Sequence, residues 1–176
     1  MKNVVLIGFM GTGKTSTGKM LAARLGAAFI DMDQKIEEEA GMSIPEIFAQ
    51  KGEAYFRAQE HELVQRLSVR RNAVISTGGG TVKNPDNTAL LKKDGVIVCL
   101  NASVDTVLER TSRRGTRPVL DSEDRGDRRQ AVEKLMKERR ELYKQADFAV
   151  DTSDLSPMQV ADHIVRFLKT RGVIHA

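Results

Sequence analysis

The run Gly8-Phe9-Met10-Gly11-Thr12-Gly13-Lys14-Thr15 constrains this chain more than any other segment. It matches the spacing G-x-x-x-x-G-K-[ST], in which a glycine-rich turn curls its backbone N–H groups around phosphate oxygens. The flanks are what that chemistry needs. Asn3–Ile7 is a short apolar run rich in β-branched residues and reads as a buried parallel strand. Lys14–Leu25 reads as a helix, with Leu21 and Leu25 one turn apart on one face. A strand that turns through glycines into a helix aims the positive helix N-terminus at the bound anion. Gly11, Thr12, Gly13, Lys14, Thr15 and Ser16 are therefore candidate nucleotide-binding residues. Lys14 supplies a cation for the outer phosphates, and the Thr15 hydroxyl is a candidate Mg²⁺ ligand. The motif does not choose the phosphoryl acceptor, because kinases, GTPases, motors and transporters all use it.

A chain of 176 residues suits a single domain, residues 1–176, with a core that needs no disulfide. Strand-like and helix-like segments alternate along it. Strands are expected at Asn3–Ile7, Ala28–Asp31, Ala73–Ser76, Val96–Leu100 and Phe148–Val150. Helices are expected at Lys14–Leu25, Gln34–Ala40, Ile44–Gln50, Glu53–Val69, Asn84–Lys92, Val104–Thr111, Arg128–Gln145 and Pro157–Thr170. Such alternation predicts an α/β fold: a three-layer α/β/α arrangement around a five-stranded parallel sheet. Ligands in such folds lie beyond the carboxyl ends of the strands, so the residues just after each strand are the ones to weigh.

Asp31 and Asp33 end the second strand two residues apart, so both carboxylates can face one crevice. The third strand ends Ser76-Thr77-Gly78 without the acid that often organises metal in such folds, which leaves Asp31 as the nearest candidate for Mg²⁺ support. Asp33 can orient or deprotonate an attacking hydroxyl; equally, it can simply cap the helix expected from Gln34. Gly78-Gly79-Gly80 can bring bare backbone against a ligand or serve as a plain turn. Arg139 falls on the apolar stripe of its helix, beside Leu135 and Met136, so its charge needs either a protein carboxylate or an anionic ligand. Arg57 poses the same choice, with Glu60 and His61 as helical neighbours. The charged stretch Arg110 to Arg129, punctuated by Gly115, Pro118 and Gly126, reads either as a solvated loop or as a mobile lid that brings Arg117 over the phosphates.

Charge excludes less than it suggests. The net charge of +4 suits small anions as well as nucleic acid. With no Trp and only 2 Tyr and 6 Phe, however, a base-stacking platform is hard to assemble. The lone Cys99 lies in an apolar run and is expected to be buried and inert, in keeping with a reducing cytoplasm. The first apolar run is broken by Gly8 and is not read as a signal peptide, and no stretch approaches the roughly 20 apolar residues of a membrane span.

Taken together, the segments resemble shikimate kinase. The resemblance runs from about Asn3 to about Asp151. It is carried by GFMGTGKT, Asp31-Met32-Asp33, SIPEIFAQKGEAYFRAQE from Ser43 to Glu60, STGGGTV from Ser76 to Val82, Arg117-Pro118-Val119-Leu120, and Arg139 followed by Leu142-Tyr143. It implies a P-loop kinase using ATP and Mg²⁺, with shikimate as its small-molecule partner. It further implies an acceptor-binding helical region at about 33–61 and a lid at about 112–127. Asp33, Arg57, Gly78, Gly79, Gly80 and Arg139 would bind shikimate, the two arginines at its carboxylate. Lys14, Asp33 and Arg117 would be catalytic, Thr15 and Asp31 would serve the metal, and Arg110 and the segment near Asp151-Thr152-Ser153 would flank the adenine. Phe48 and Phe56 would shape the acceptor pocket. A cytoplasmic monomer with no nucleic-acid or membrane partner is expected. The rivals are another small-molecule kinase, such as a gluconate kinase, and a nucleotide-dependent switch or nucleic-acid-binding protein. The GTPase form of the switch is weakened because the chain lacks an N-K-x-D segment.

Overall fold

The β-branched runs of this chain are nearly all buried, and they pair into one parallel sheet. A computed structural model describes residues 1–112 and 125–175. The strands are β1 (Asn3–Ile7), β2 (Ala28–Asp31), β3 (Ala73–Ser76), β4 (Gly95–Asn101) and β5 (Phe148–Asp151), in the order β2-β3-β1-β4-β5. All four pairings are parallel. The helices are α1 (Lys14–Leu25), α2 (Met32–Ala40), α3 (Ile44–Lys51), α4 (Glu53–Ser68), α5 (Pro85–Lys93), α6 (Val104–Ser112), α7 (Arg125–Tyr143) and α8 (Pro157–Thr170).

Alternation along β1 builds two cores. Val5 and Ile7 point to one face, where Ile36, Ile47, Leu63, Val64, Leu67 and Leu91 from α2 to α5 cover them. Val4 and Leu6 point to the other, against Leu21 and Ala22 of α1 and Val160, Ile164 and Leu168 of α8. A smaller cluster, Phe9, Ala102, Val107 and Val132, seats α6 and α7 beyond the carboxyl end of the sheet. The three-layer parallel architecture expected from the sequence is the one observed.

The element boundaries depart from expectation in informative ways. Helix α2 starts at Met32, not Gln34, because Asp31 is its N-cap and accepts the Gln34 N–H at 3.2 Å. Asp33 therefore lies inside the first turn and is not a cap. Asn84 caps α5, and its side chain accepts the Asp86 N–H. A 3₁₀ turn at Thr81–Lys83, not foreseen, follows the triple glycine. Of the lid expected at about 112–127, residues 113–124 lie outside the described residues, and so does Arg117.

Candidate active site

Chain segments at or beyond the carboxyl ends of all five strands meet in one cleft of about 580 Å³. Its floor is the phosphate-binding turn. Gly8 has φ +144°, and a Cβ there would lie 2.3 Å from the Leu100 carbonyl oxygen, so only glycine lets this turn lean on β4. Lys14 is buried, and its Nζ donates to the carbonyls of Gly8 at 2.7 Å and Phe9 at 2.9 Å, which sets the ammonium over the turn. Gly13 precedes α1 in the left-handed region and carries no side chain to occupy the helix N-terminus. Gly11, Thr12, Gly13, Lys14, Thr15 and Ser16 all border the cleft, which makes them a contiguous anion cradle.

Thr15 Oγ1 donates to Asp31 Oδ2 at 3.0 Å, so the hydroxyl of α1 and the last carboxylate of β2 sit side by side. Asp31 thus has two duties, one oxygen capping α2 and the other on Thr15. Among the described residues no group of three His, Cys, Asp or Glu side chains could enclose a metal. A hydroxyl and one carboxylate suit Mg²⁺, which keeps several waters and takes substrate phosphate oxygens in place of a full protein cage. The residues present fit the ion.

The triple glycine is where the separate candidates converge. A Cβ on Gly78 would lie 2.8 Å from Asp33 Oδ1; one on Gly79, 3.3 Å from an Arg139 guanidinium nitrogen; one on Gly80, 2.7 Å from an Arg57 nitrogen. Residues 33, 57 and 139 therefore press on three successive glycines, and side chains there would displace them. Arg57 pairs with Glu60 at 2.9 Å and Glu53 at 3.3 Å. Glu60 is 1% exposed and also accepts the Thr81 hydroxyl at 2.8 Å, so it fixes the Arg57 fork against Gly80. Arg139, buried on α7, donates to the Gly79 carbonyl at 3.1 Å and lies 5.4 Å from the Phe9 ring centroid. Among the described residues it forms no ion pair with a carboxylate. Asp31, Asp33 and Gly79 belong to the cleft wall, and Arg57 and Arg139 meet the same turn.

The opposite end of the cleft holds Arg110, Thr152, Leu155, Pro157 and Val160. Arg110 donates to the carbonyls of Gly11 at 3.2 Å and Thr152 at 2.9 Å. The buried Thr152 hydroxyl lies 2.8 Å from the Thr12 carbonyl oxygen, tying the phosphate turn to the β5 end. Sequence reasoning singled out Ser153 here, but its hydroxyl accepts the Ser103 N–H at 2.9 Å and it is absent from the cleft wall. Its own N–H donates to Asp151, which with the Ser153 hydroxyl and Arg110 holds that carboxyl below the usual range. Thr152 falls within the segment expected here; Leu155, Pro157 and Val160 were missed. The signal was available, since they follow the carboxyl end of β5. Phe48 and Phe56 pack on each other in the core, with ring centroids 5.2 Å apart, and do not line the cleft. Cys99 is 1% exposed, and burial pushes its thiol up to about 11, as expected of an inert residue.

Several known proteins resemble this chain closely. A family model described as shikimate kinase matches residues 10–169. A shikimate kinase of Thermodesulfovibrio yellowstonii is 46% identical over 166 residues, covering 94% of this chain and 94% of that protein. Another, from Pelotomaculum thermopropionicum, is 45% identical over 99% of each chain. The solved shikimate kinase from Acinetobacter baumannii, in complex with shikimate, superposes with a TM-score of 0.92 at 35% identity, over 97% of this chain and 94% of that one. Matched across nearly its whole length by sequence and by fold, this chain belongs to the shikimate kinase family.

Proposed function

We propose that this chain transfers the γ-phosphoryl group of ATP to the 3-hydroxyl of shikimate, giving 3-phosphoshikimate and ADP for aromatic amino acid biosynthesis. The observation that carries this is the convergence of Asp33, Arg57 and Arg139 on Gly78–Gly80, beside a cradle for nucleotide phosphates. Phosphoryl transfer asks little covalent chemistry of a protein; it asks for in-line placement and cations around the moving group. Two guanidinium groups on one turn suit a ring carboxylate, and together they would orient a small rigid acceptor. Asp33 would hold, or take the proton from, the attacking hydroxyl. Lys14, with Arg117 by family resemblance, would stabilise charge on the transferred group. Mg²⁺ held at Thr15 and Asp31 would neutralise phosphate charge. Arg110 and the β5 end of the cleft, with Thr152, Leu155 and Pro157, would seat the nucleoside.

The same reading has the chain acting as a cytoplasmic monomer without nucleic-acid or membrane partners. The four-residue edge strands β2 and β5 support a monomer, since short edges offer little backbone to a second copy. No helix among the described residues is long and apolar enough to cross a membrane. The deciding experiment is ADP release measured across shikimate, gluconate and nucleoside monophosphates. Turnover stimulated by shikimate alone is the expected result. Stimulation by gluconate instead would reassign the acceptor, and salt-dependent nucleic-acid binding without acceptor-stimulated turnover would remove the kinase reading.

A further inference from the structure

One group at the acceptor turn has no role in the scheme above. Tyr143 ends α7 and is mostly buried, bridging the Phe9 cluster and the core under β1 and β4. Its position on the apolar stripe of α7 explains the ring but not the hydroxyl, which donates to the Gly79 carbonyl at 2.8 Å. The same oxygen accepts from Arg139 at 3.1 Å. A carbonyl has two lone pairs, and here two donors one helical turn apart on α7 fill both. Burial pushes the phenol up to about 12, so at ordinary pH it remains a donor.

The consequence runs through one peptide plane. The 79–80 bond is trans, so the Gly80 N–H points opposite to the Gly79 carbonyl. With the carbonyl bound toward α7, that N–H is turned away from α7. Glycine at both positions would otherwise let this plane rotate cheaply. Rotation now costs two hydrogen bonds, one of them from a cation. The anchor also fixes Arg139, whose guanidinium shares the acceptor with Tyr143.

We infer that Tyr143 is a positioning residue for the acceptor: its hydroxyl locks the Gly79–Gly80 peptide and the Arg139 guanidinium in the orientation that receives shikimate. This rests on the shikimate reading above. The test compares wild type with Tyr143→Phe, which keeps the ring and removes the donor, and with Tyr55→Phe on the exposed face of α4 as control. Tyr143→Phe is expected to raise the shikimate KM about three- to ten-fold, the worth of one buried hydrogen bond, and to leave the ATP KM within about twofold. Exchange of the Gly80 and Thr81 amide protons, followed by NMR, is expected to quicken while the Gly11–Thr15 amides do not. Tyr55→Phe is expected to match wild type.

Equal rises in both KM values, or a lowered Tm with an unchanged KM ratio, would reduce Tyr143 to packing and overturn the inference. If the wild type fails to turn over shikimate, it is the functional reading that falls. The exchange measurement still decides the anchor: unchanged Gly80 and Thr81 rates overturn it.

Discussion

Asp31 shows how much one side chain carries at this site. One oxygen caps α2 and the other accepts from Thr15, so two substitutions separate its roles. Asp31→Asn keeps a good cap and removes the anion. It should leave Tm nearly unchanged while raising the Mg²⁺ concentration needed for half-maximal turnover. Asp31→Ala should raise that requirement too and also lose about 1 kcal/mol of stability in urea titration. Equal stability losses in the two variants would show that the cap is not what Asp31 contributes. Arg139 offers a second residue-scale test. Arg139→Ala removes a charged donor at a buried turn, worth about 1.5–3 kcal/mol, so calorimetric shikimate affinity should fall roughly 10- to 100-fold. ATP affinity should hold, because Arg139 meets Gly79 and Phe9 but not residues 11–16. Parallel loss of both affinities would make it a general support of the fold. Arg57 and Glu60 were legible as a helical pair from their i,i+3 spacing. The hydroxyl of Tyr143 was not, because on the stripe with Leu142 it reads as one more core side chain.

At the scale of elements, the strands were legible because β-branched runs ended by glycine or polar residues have few other uses in a buried sheet. The phosphate turn was legible because all its parts are contiguous. What escaped was set by tertiary partners. The 3₁₀ turn Thr81–Lys83 is held by Glu60 from α4 and by Asn87 from α5, which donates to the Thr81 carbonyl at 2.9 Å. Neither contact leaves a local pattern. The gathering of residues 33, 57 and 139 likewise depends on the order β2-β3-β1, in which strands far apart in sequence become neighbours. One junction is tight enough to test. A Cβ on Gly95, where α5 passes into β4, would lie 2.4 Å from the Leu91 carbonyl oxygen. Backbone cannot yield there as a side-chain tip can. Gly95→Ala should therefore cost about 1–3 kcal/mol and lower Tm by roughly 2–12 °C in a thermal melt. A melt unchanged within a degree would mean that the α5–β4 turn has slack.

Two raised acids among the described residues give the whole molecule a pH signature. Burial lifts Cys99 from 9.0 to about 11 and Tyr143 from 10.0 to about 12. The folded chain therefore keeps protons that the unfolded chain gives up. Stability should be fully present below about pH 9 and decline as pH rises toward 12, because the unfolded state binds fewer protons through that window. Urea midpoints between pH 8 and 11 would show the decline. Cys99→Ala should flatten its lower part, and a midpoint indifferent to pH in both proteins would refute the assignment. Cys99 is also the chain's sole thiol, 1% exposed and sealed by the side chains packed around it. A thiol-specific dye can reach it only when that seal parts. Each chain thus holds a single-use clock, and the rate at which native protein takes up one dye molecule counts how often the heart of the sheet breathes.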